Sequence, residues 1–453
     1  MNFGRGEAVV GGMQVTWSWS ALEWAPEDLC AWDRVAGATG PVPVALDARH
    51  VLALLAASER QVAAVRWWDG EELVGVAVVE DTVAESRALD RHVEARSPLF
   101  RAASRWVHGR EGLLRFRVRV VGNVLGSGEA AYRFVAGVAP EEAARAVDRA
   151  VRRGPSGPGG RRPAVVLVKD FRVADDAGQV GGGASWRPGW FDLEFDPVMQ
   201  VPVGRDWMEF SDYLGALRTK ARTKVNRIAV CSEGCAFEEL GLEEVRARAV
   251  ALHALYLEVY GGAAFRLGGL HAEDLVRMKE QWGEAFRVVS IQHEGEEVGF
   301  FCGFRGEDCI EAFMVGFHPG FHRELALYQR MLIEFIRWGV ETGRPVVNLG
   351  RTALDIKSSV GALPVRMAMA VRFRNPVLHL AARIAARLSR PKMPELKQAW
   401  RAEALADFGA TPVPTKTAEI RTRPSRLRRP CRRTPGPIVR LARLRTCRTA
   451  TSA

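Results

Sequence analysis

Between Phe286 and Gly350 the sequence leaves little freedom in how the chain can run. Three runs rich in aromatic and β-branched residues, FRVVSIQH (286–293), EVGFFCGF (297–304) and CIEAFMVGF (309–317), are joined by the short polar turns EGE and RGED. Joints of that length favour hairpins, so the spacing predicts an antiparallel meander. An amphipathic helix is predicted next, from about Glu324 to Thr342, closed by Gly343 and leading into the apolar strand PVVNLG at 345–350. Upstream, Val245, Ala249, Leu252, Tyr256 and Val259 recur at helical spacing between Glu244 and Tyr260, and His271 to Trp282 is a second helical run. A final strand, MAMAVRF, ends at Phe373.

The first half repeats this order less cleanly. Apolar-rich helices between Ala21 and Leu55 precede strands around Val62–Trp68 and Leu73–Val79, then LLRFRVRVVGN at 113–123. A helix through Ala139 to Val151 and the strand AVVLVKDF at 164–171 follow. The Gly/Pro-rich stretches at 154–163 and 178–189 read as loops. A chain of 453 residues suits two such units, related by duplication.

The formal net charge of +11 first suggests a nucleic-acid binder, but its placement changes that reading. From Lys416 onward stand eleven arginines, one lysine and one glutamate, so the tail carries the whole excess and the rest of the chain is neutral. From Pro391 the pattern decays into Pro, Arg and Thr, and residues after about Ala410 are expected to form no core. The seven cysteines lack the paired spacing of a zinc site or disulfide framework, so reduced thiols and no metal are expected. No segment reaches the roughly 18 to 20 uninterrupted apolar residues of a membrane helix. The first twenty residues lack an apolar stretch after a basic start, and the expected location is the cytoplasm.

YLGALRTKARTKVNR at 213–227, the block ending ALYQRMLIEF, and NLGRTALDIKSSVGALP at 348–364 carry a family resemblance, reinforced by GNVLGSG and VKDF in the first half. In that order they resemble the GNAT-superfamily acetyltransferases related to the Fem-type, peptidoglycan-biosynthesis-like enzymes, over roughly Trp17 to Met393. The resemblance implies an α/β (α+β) fold of two tandem GNAT-like domains, each a mixed, mostly antiparallel sheet flanked by helices. They would span 14–205 and 206–393, followed by a disordered Arg/Pro-rich tail over 394–453. It also implies transfer of an acyl group, most often acetyl, from acyl-CoA to an amine or hydroxyl of a small-molecule or cell-envelope-precursor acceptor. One departure stands out. Where GNAT enzymes commonly place an Arg/Gln-x-x-Gly-x-Gly loop for the CoA pyrophosphate, this chain has HPGFHRELALYQ, with only Gly320 as a small residue. An aminoacyl-tRNA donor, as in Fem-type transfer, and a non-catalytic GNAT-fold binding module therefore stand beside acyl-CoA transfer.

Such chemistry needs a seat for donor phosphates, a base for the acceptor and a donor group for the developing negative charge. The junction after Phe317, with His318, Gly320, His322 and Arg323, can supply backbone N–H groups and a helix N-terminus for phosphates; the alternative is a solvated first turn. Glu311 lies within the apolar run CIEAFMVGF, alternating onto one face with Cys309, Phe313 and Val315. Buried, it would titrate high and serve as a base; paired or at an edge, it is an ordinary glutamate. Tyr328 can protonate a leaving thiolate, or simply fill the core. After the strand end at Gly350, Arg351, Thr352, Asp355 and Lys357 form a polar turn suited to an anionic ligand, or a surface ion network. A helix from Ser211 carries Leu214, Leu217, Ala221, Val225 and Ile228 as an apolar stripe. Around it stand Arg218, Lys220, Arg222, Lys224 and Arg227. Arg222 is its candidate substrate contact, and nucleic acid is admitted only through this helix (211–228) or the basic tail.

Overall fold

The computed structural model describes residues 6–10, 12–86, 114–155, 162–172, 186–194, 196–262, 265–388 and 395–409. The first half of the chain begins with β1 (Gly6–Val10), β2 (Met13–Ser18), α1 (Pro26–Ala36) and α2 (Ala48–Leu55). It continues through β3 (Gln61–Asp69), β4 (Glu72–Ser86), β5 (Leu114–Val121), β6 (Tyr132–Phe134), α3 (Pro140–Arg153), β7 (Val165–Arg172), β8 (Phe191–Glu194) and β9 (Val198–Pro202). The second half opens with α4 (Phe210–Ala216), α5 (Thr219–Cys231), β10 (Cys235–Glu239), α6 (Leu242–Gly261), β11 (Phe265–Leu267) and α7 (Ala272–Trp282). Then come the meander β12 (Phe286–His293), β13 (Glu296–Arg305) and β14 (Cys309–Phe317), followed by α8 (Leu327–Glu341) and β15 (Val346–Asn348). The described chain ends with α9 (Leu354–Ser358), β16 (Leu363–Val365), β17 (Met367–Phe373), α10 (Pro376–Leu388) and α11 (Ala402–Asp407).

These elements make two mixed, mostly antiparallel sheets flanked by helices. One runs β1-β2-β3-β4-β5-β7-β17-β8, with β6 and β11 also paired to β4; the other runs β10-β12-β13-β14-β15-β9-β16. Each holds a single parallel pair among the described strands, β5 with β7 and β14 with β15. α1, α2, α6 and α7 pack between the sheets, where Trp32, Leu54 and Val76 meet Leu252, Trp282 and Phe300 in one core. α3 covers the outer face of the first sheet through Val147 and Val151, and α8 covers that of the second through Met331 and Phe335. Along β13 the two-residue period divides the side chains accordingly: Phe300, Cys302 and Phe304 point inward, Phe301 outward.

The sheets are interlocked. β9, from the end of the first half, pairs with β15 and β16 in the second sheet, while β17 pairs with β7 and β8 in the first. The sequence pattern places MAMAVRF at the end of the second unit; its hydrogen bonds go to the other sheet. A cut at 205/206 therefore runs through both sheets, leaving β9 on one piece and β17 on the other.

Three local differences from the sequence reading have clear causes. The helix expected from Ser211 is broken at Leu217, which turns extended (φ −80°, ψ 147°). Residues 399–401 take the backbone groups there: Arg218 N–H donates to Ala399 (2.8 Å) and Arg401 N–H to Ala216 (3.0 Å). α8 starts at Leu327 rather than Glu324, because Ala326 sits at φ +50° and ends the turns before it. Finally, β14 has a bulge opposite Cys302/Gly303, where two residues face one. Cys309 and Phe313 face inward as expected, but the extra residue sends Val315 to the outer face.

The tail expected from 394 begins later. Leu396, Ala399, Trp400 and Leu405 are buried in the outer core of the second sheet, and Trp400 Nε1 donates to Gly361 (2.6 Å). Residues from Ala410 on lie outside the described residues. Trp400→Ala is expected to cost about 3–5 kcal/mol, as for other fully buried large aromatics, read as a lower midpoint in denaturant melts.

Candidate active site

Parallel strands that part at their C-terminal ends leave a crevice with free backbone groups, a common place for a ligand in α/β sheets. Both sheets have one. β14 pairs with β15 only from Cys309–Val346 to Glu311–Asn348, and β5 with β7 only from Val118–Val165 to Val121–Val168. In each sheet an antiparallel meander is followed by a helix and by a strand parallel to the last strand of that meander.

The two crevices meet through the loop 122–128, the GNVLGSG segment. Gly122 (φ +110°) and Gly128 (φ +123°) let it turn where a side chain would be strained. Lys169, the first residue of β7 beyond its pairing with β5, donates to the carbonyls of Asn123 (2.7 Å), Val124 (3.3 Å) and Gly126. Its neighbour Asp170, at the strained φ of +55°, accepts from Gly128 N–H (3.0 Å) and pairs with Arg351. From the second sheet, Asn348 Nδ2 donates to Ser127 (2.9 Å) and its Oδ1 accepts from Gly350 N–H (2.9 Å). Glu311 accepts the Ser127 N–H. The loop of one half thus closes on the splayed strands of the other.

Burial decides the charge state of the groups here. It pushes the Glu311 carboxyl up to about 7, against the Ser127 N–H and the Lys169 ammonium, which favour the anion. It also lowers the Lys169 ammonium, with Asp170 opposing the shift. Lys357, buried with its ammonium on the Arg351 carbonyl, is pushed down to about 7. His50, enclosed by Phe304, Phe313 and Trp282, falls to about 4 through burial and meets the Asn123 side-chain amide through Nε2.

The structure gathers some of the residues singled out in the sequence and separates others. Glu311 is 8% exposed and stands at the divergence of β14 and β15, facing the inner side. Tyr328 is on α8 beside Phe317, on the outer side, its hydroxyl pushed above the usual value by burial. His318, Gly320 and Arg323 are exposed at the junction before α8, where His318 Nδ1 accepts from Gly320 N–H (3.1 Å). Between them and α8 the chain makes tight turns, with Phe321 N–H donating to His318 (3.2 Å) and Leu325 N–H to Phe321 (3.1 Å). His322 stacks on Phe317 at 4.5 Å.

Arg351 does not reach freely outward: it binds Asp170 and donates to the Asp196 carbonyl (2.6 Å). Lys357 is likewise committed internally, whereas Thr352 and Asp355 are exposed. Arg222 is partly buried on α5, whose residues Ala221 and Val225 pack into the outer core of the second sheet and whose Lys224 donates to Ser359 (2.6 Å). That places Arg222 with the outer layer rather than with the loop cluster. Sequence reasoning assigned no role to Lys169, Asp170, Asn123 or Asn348. The signal was a Lys-Asp pair closing an apolar strand and an Asn closing another.

A cavity of about 560 Å³ opens on the inner face of the first sheet. Its lining includes buried Arg60, paired with Glu80 (2.8 Å) and Asp274 (3.1 Å), together with Tyr256 and His253. Glu80 Oε2 has no hydrogen-bond partner among the described residues, and burial raises its carboxyl above the usual range despite Arg60.

No family model and no curated protein matches the chain. Among solved structures it is similar to a tandem GNAT protein from the clavulanic acid biosynthesis pathway, at 13% identity and a TM-score of 0.42, over 80% of this chain and 99% of that one. FemX matches at 10% identity and 0.41, over 72% and 90%. Saccharomyces cerevisiae N-myristoyltransferase with bound myristoyl-CoA matches at 8% identity and 0.47, over 81% of each.

Proposed function

We propose that this chain is an acyltransferase that takes an acyl group from acyl-CoA and passes it to an amine or hydroxyl of a small-molecule or cell-envelope-precursor acceptor. One observation carries the reading: Glu311, with its carboxyl pushed up to about 7, stands where β14 and β15 part. A carboxyl titrating there is anionic in about half the molecules at neutral pH, the condition under which a general base is most effective.

The junction before α8 fits the donor's phosphates. The exposed Arg323 and the N-terminal end of α8 offer positive charge there without the glycine-rich loop common in GNAT enzymes. The thioester of acyl-CoA supplies an activated carbonyl. Glu311 takes the proton from the acceptor's attacking nitrogen or oxygen, and Tyr328 gives one to the sulfur that leaves. The Asn348–Ser127–Lys169 network holds the loop against Glu311, so that the base keeps one position.

Isothermal titration tests the donor site. Acetyl-CoA or a longer acyl-CoA is expected to bind, and Arg323→Glu to weaken it about ten- to a hundredfold, the loss of a charge-assisted hydrogen bond. Binding of charged tRNA without any acyl-CoA would move the chain to aminoacyl transfer. Binding of neither would leave a non-catalytic module.

A further inference from the structure

α10 is built inside out. Its inward side carries only His379, Ala382, Ala385 and Ala386, of which Ala382 and Ala386 pack on Val118, Val165 and Val371 of the first sheet. Its large aliphatic residues face away from the protein: Val377 is 73% exposed, Leu380 57% and Ile384 50%. At 100° per residue these three fall within one narrow stripe, opposite the alanines. Leu378, 56% exposed, widens it on one side, and Arg383 and Arg387 border it on the other. A helix that only closed a core would show the reverse arrangement.

The charges around the stripe narrow what can cover it. From Met367 to Pro394 the sequence has six Arg or Lys and no Asp or Glu. Arg374, Arg383 and Arg387 are exposed and have no acidic partner among the described residues. A second copy of the chain in a two-fold contact would set these arginines against their own equivalents. The Arg-rich end of the same chain would meet them with like charge. An anionic lipid surface satisfies both features: aliphatic side chains enter the acyl boundary while arginines bind the headgroups.

We propose that α10 is a peripheral membrane-docking helix that lays the Val377–Leu380–Ile384 stripe into an anionic bilayer surface. It lies in the plane of the surface and does not span it; no described helix is long and apolar enough to do so. Val118 belongs both to the cluster that α10 packs against and to the lining of the 560 Å³ cavity.

The test is co-sedimentation of the full chain with vesicles of phosphatidylcholine alone or mixed with phosphatidylglycerol. The protein is expected to bind the mixed vesicles, with a fraction persisting at about 0.5 M salt, where purely electrostatic attraction by the Arg-rich end is screened. The double variant Leu380→Ser/Ile384→Ser keeps that end. It is expected to lose at least about tenfold in partitioning, together with the salt-resistant fraction, because two aliphatic anchors are gone. Its thermal melt should match the wild type, since both side chains are exposed. Equal partitioning of variant and wild type would overturn the proposal and leave the Arg-rich end as the sole contact. So would a dimer in sedimentation analysis, without vesicles, that the double variant dissolves.

Discussion

Replacing Glu311 with Gln is expected to make the protein more stable above pH 7 and about 10²- to 10⁴-fold less active, the usual contribution of a positioned general base. The gain in stability follows from proton linkage. The unfolded glutamate titrates near 4.5 and the folded one near 7, so between these values the folded state holds more protons. Stability therefore falls as pH rises through that window, and the charge-free amide escapes the loss. At pH 8 the gain is up to about 3 kcal/mol, since each tenfold change in the carboxyl's proton affinity on folding is worth about 1.4 kcal/mol. Gln can still accept the Ser127 N–H, which keeps the loop in place. Denaturant melts at pH 5 and pH 8, beside turnover with an acyl-CoA, read both effects. A variant destabilised at pH 8 would show that the anion is held by interactions stronger than its burial; full activity would remove Glu311 from the chemistry.

Cutting the chain between Arg205 and Asp206 is expected to abolish folding of either piece alone. Without β17, the first sheet loses the strand between β7 and β8, and β8 has no other partner among the described strands. Without β9, the second sheet loses the strand between β15 and β16, and β16 is left in the same way. Each piece would also expose its share of the core between the sheets, where Trp32 and Val76 pack with Trp282 and Phe300. Neither piece should show a cooperative melt, while co-expression should restore one. Two independent transitions from the separate pieces would mean that the exchanged strands contribute little.

The elements between Leu242 and Asn348 other than β11 were legible because each rests on a local period. Alternation marks β12 to β14, and the 3.6-residue repeat marks α6 to α8. Glu311 was legible for a related reason, as the single carboxylate in an apolar run. The turn at 351–357 was legible as polar, but its role was not. Arg351 reads as a ligand-binding arginine until Asp170, 181 residues away, is seen beside it. The break at Leu217 follows the same logic, since Trp400 pairs with it from far along the chain.

Periodicity and turn length specify what each segment becomes, because they act through neighbours a few residues apart. That was enough for most of the order of helices and strands, for mixed, mostly antiparallel sheets flanked by helices, and for a lone carboxylate within an apolar strand. Which strand completes which sheet, and which side chains gather around the loop at 122–128, depend on pairings across the whole chain. The hydrogen bonds from Lys169 to that loop, the Asp170–Arg351 pair and the exchange of β9 with β17 arise when the two sheets close on a shared core. The titration of Glu311 belongs to the same class. A sequence places the carboxyl on a strand, but only the packed loop and sheet exclude the water that would otherwise keep it charged.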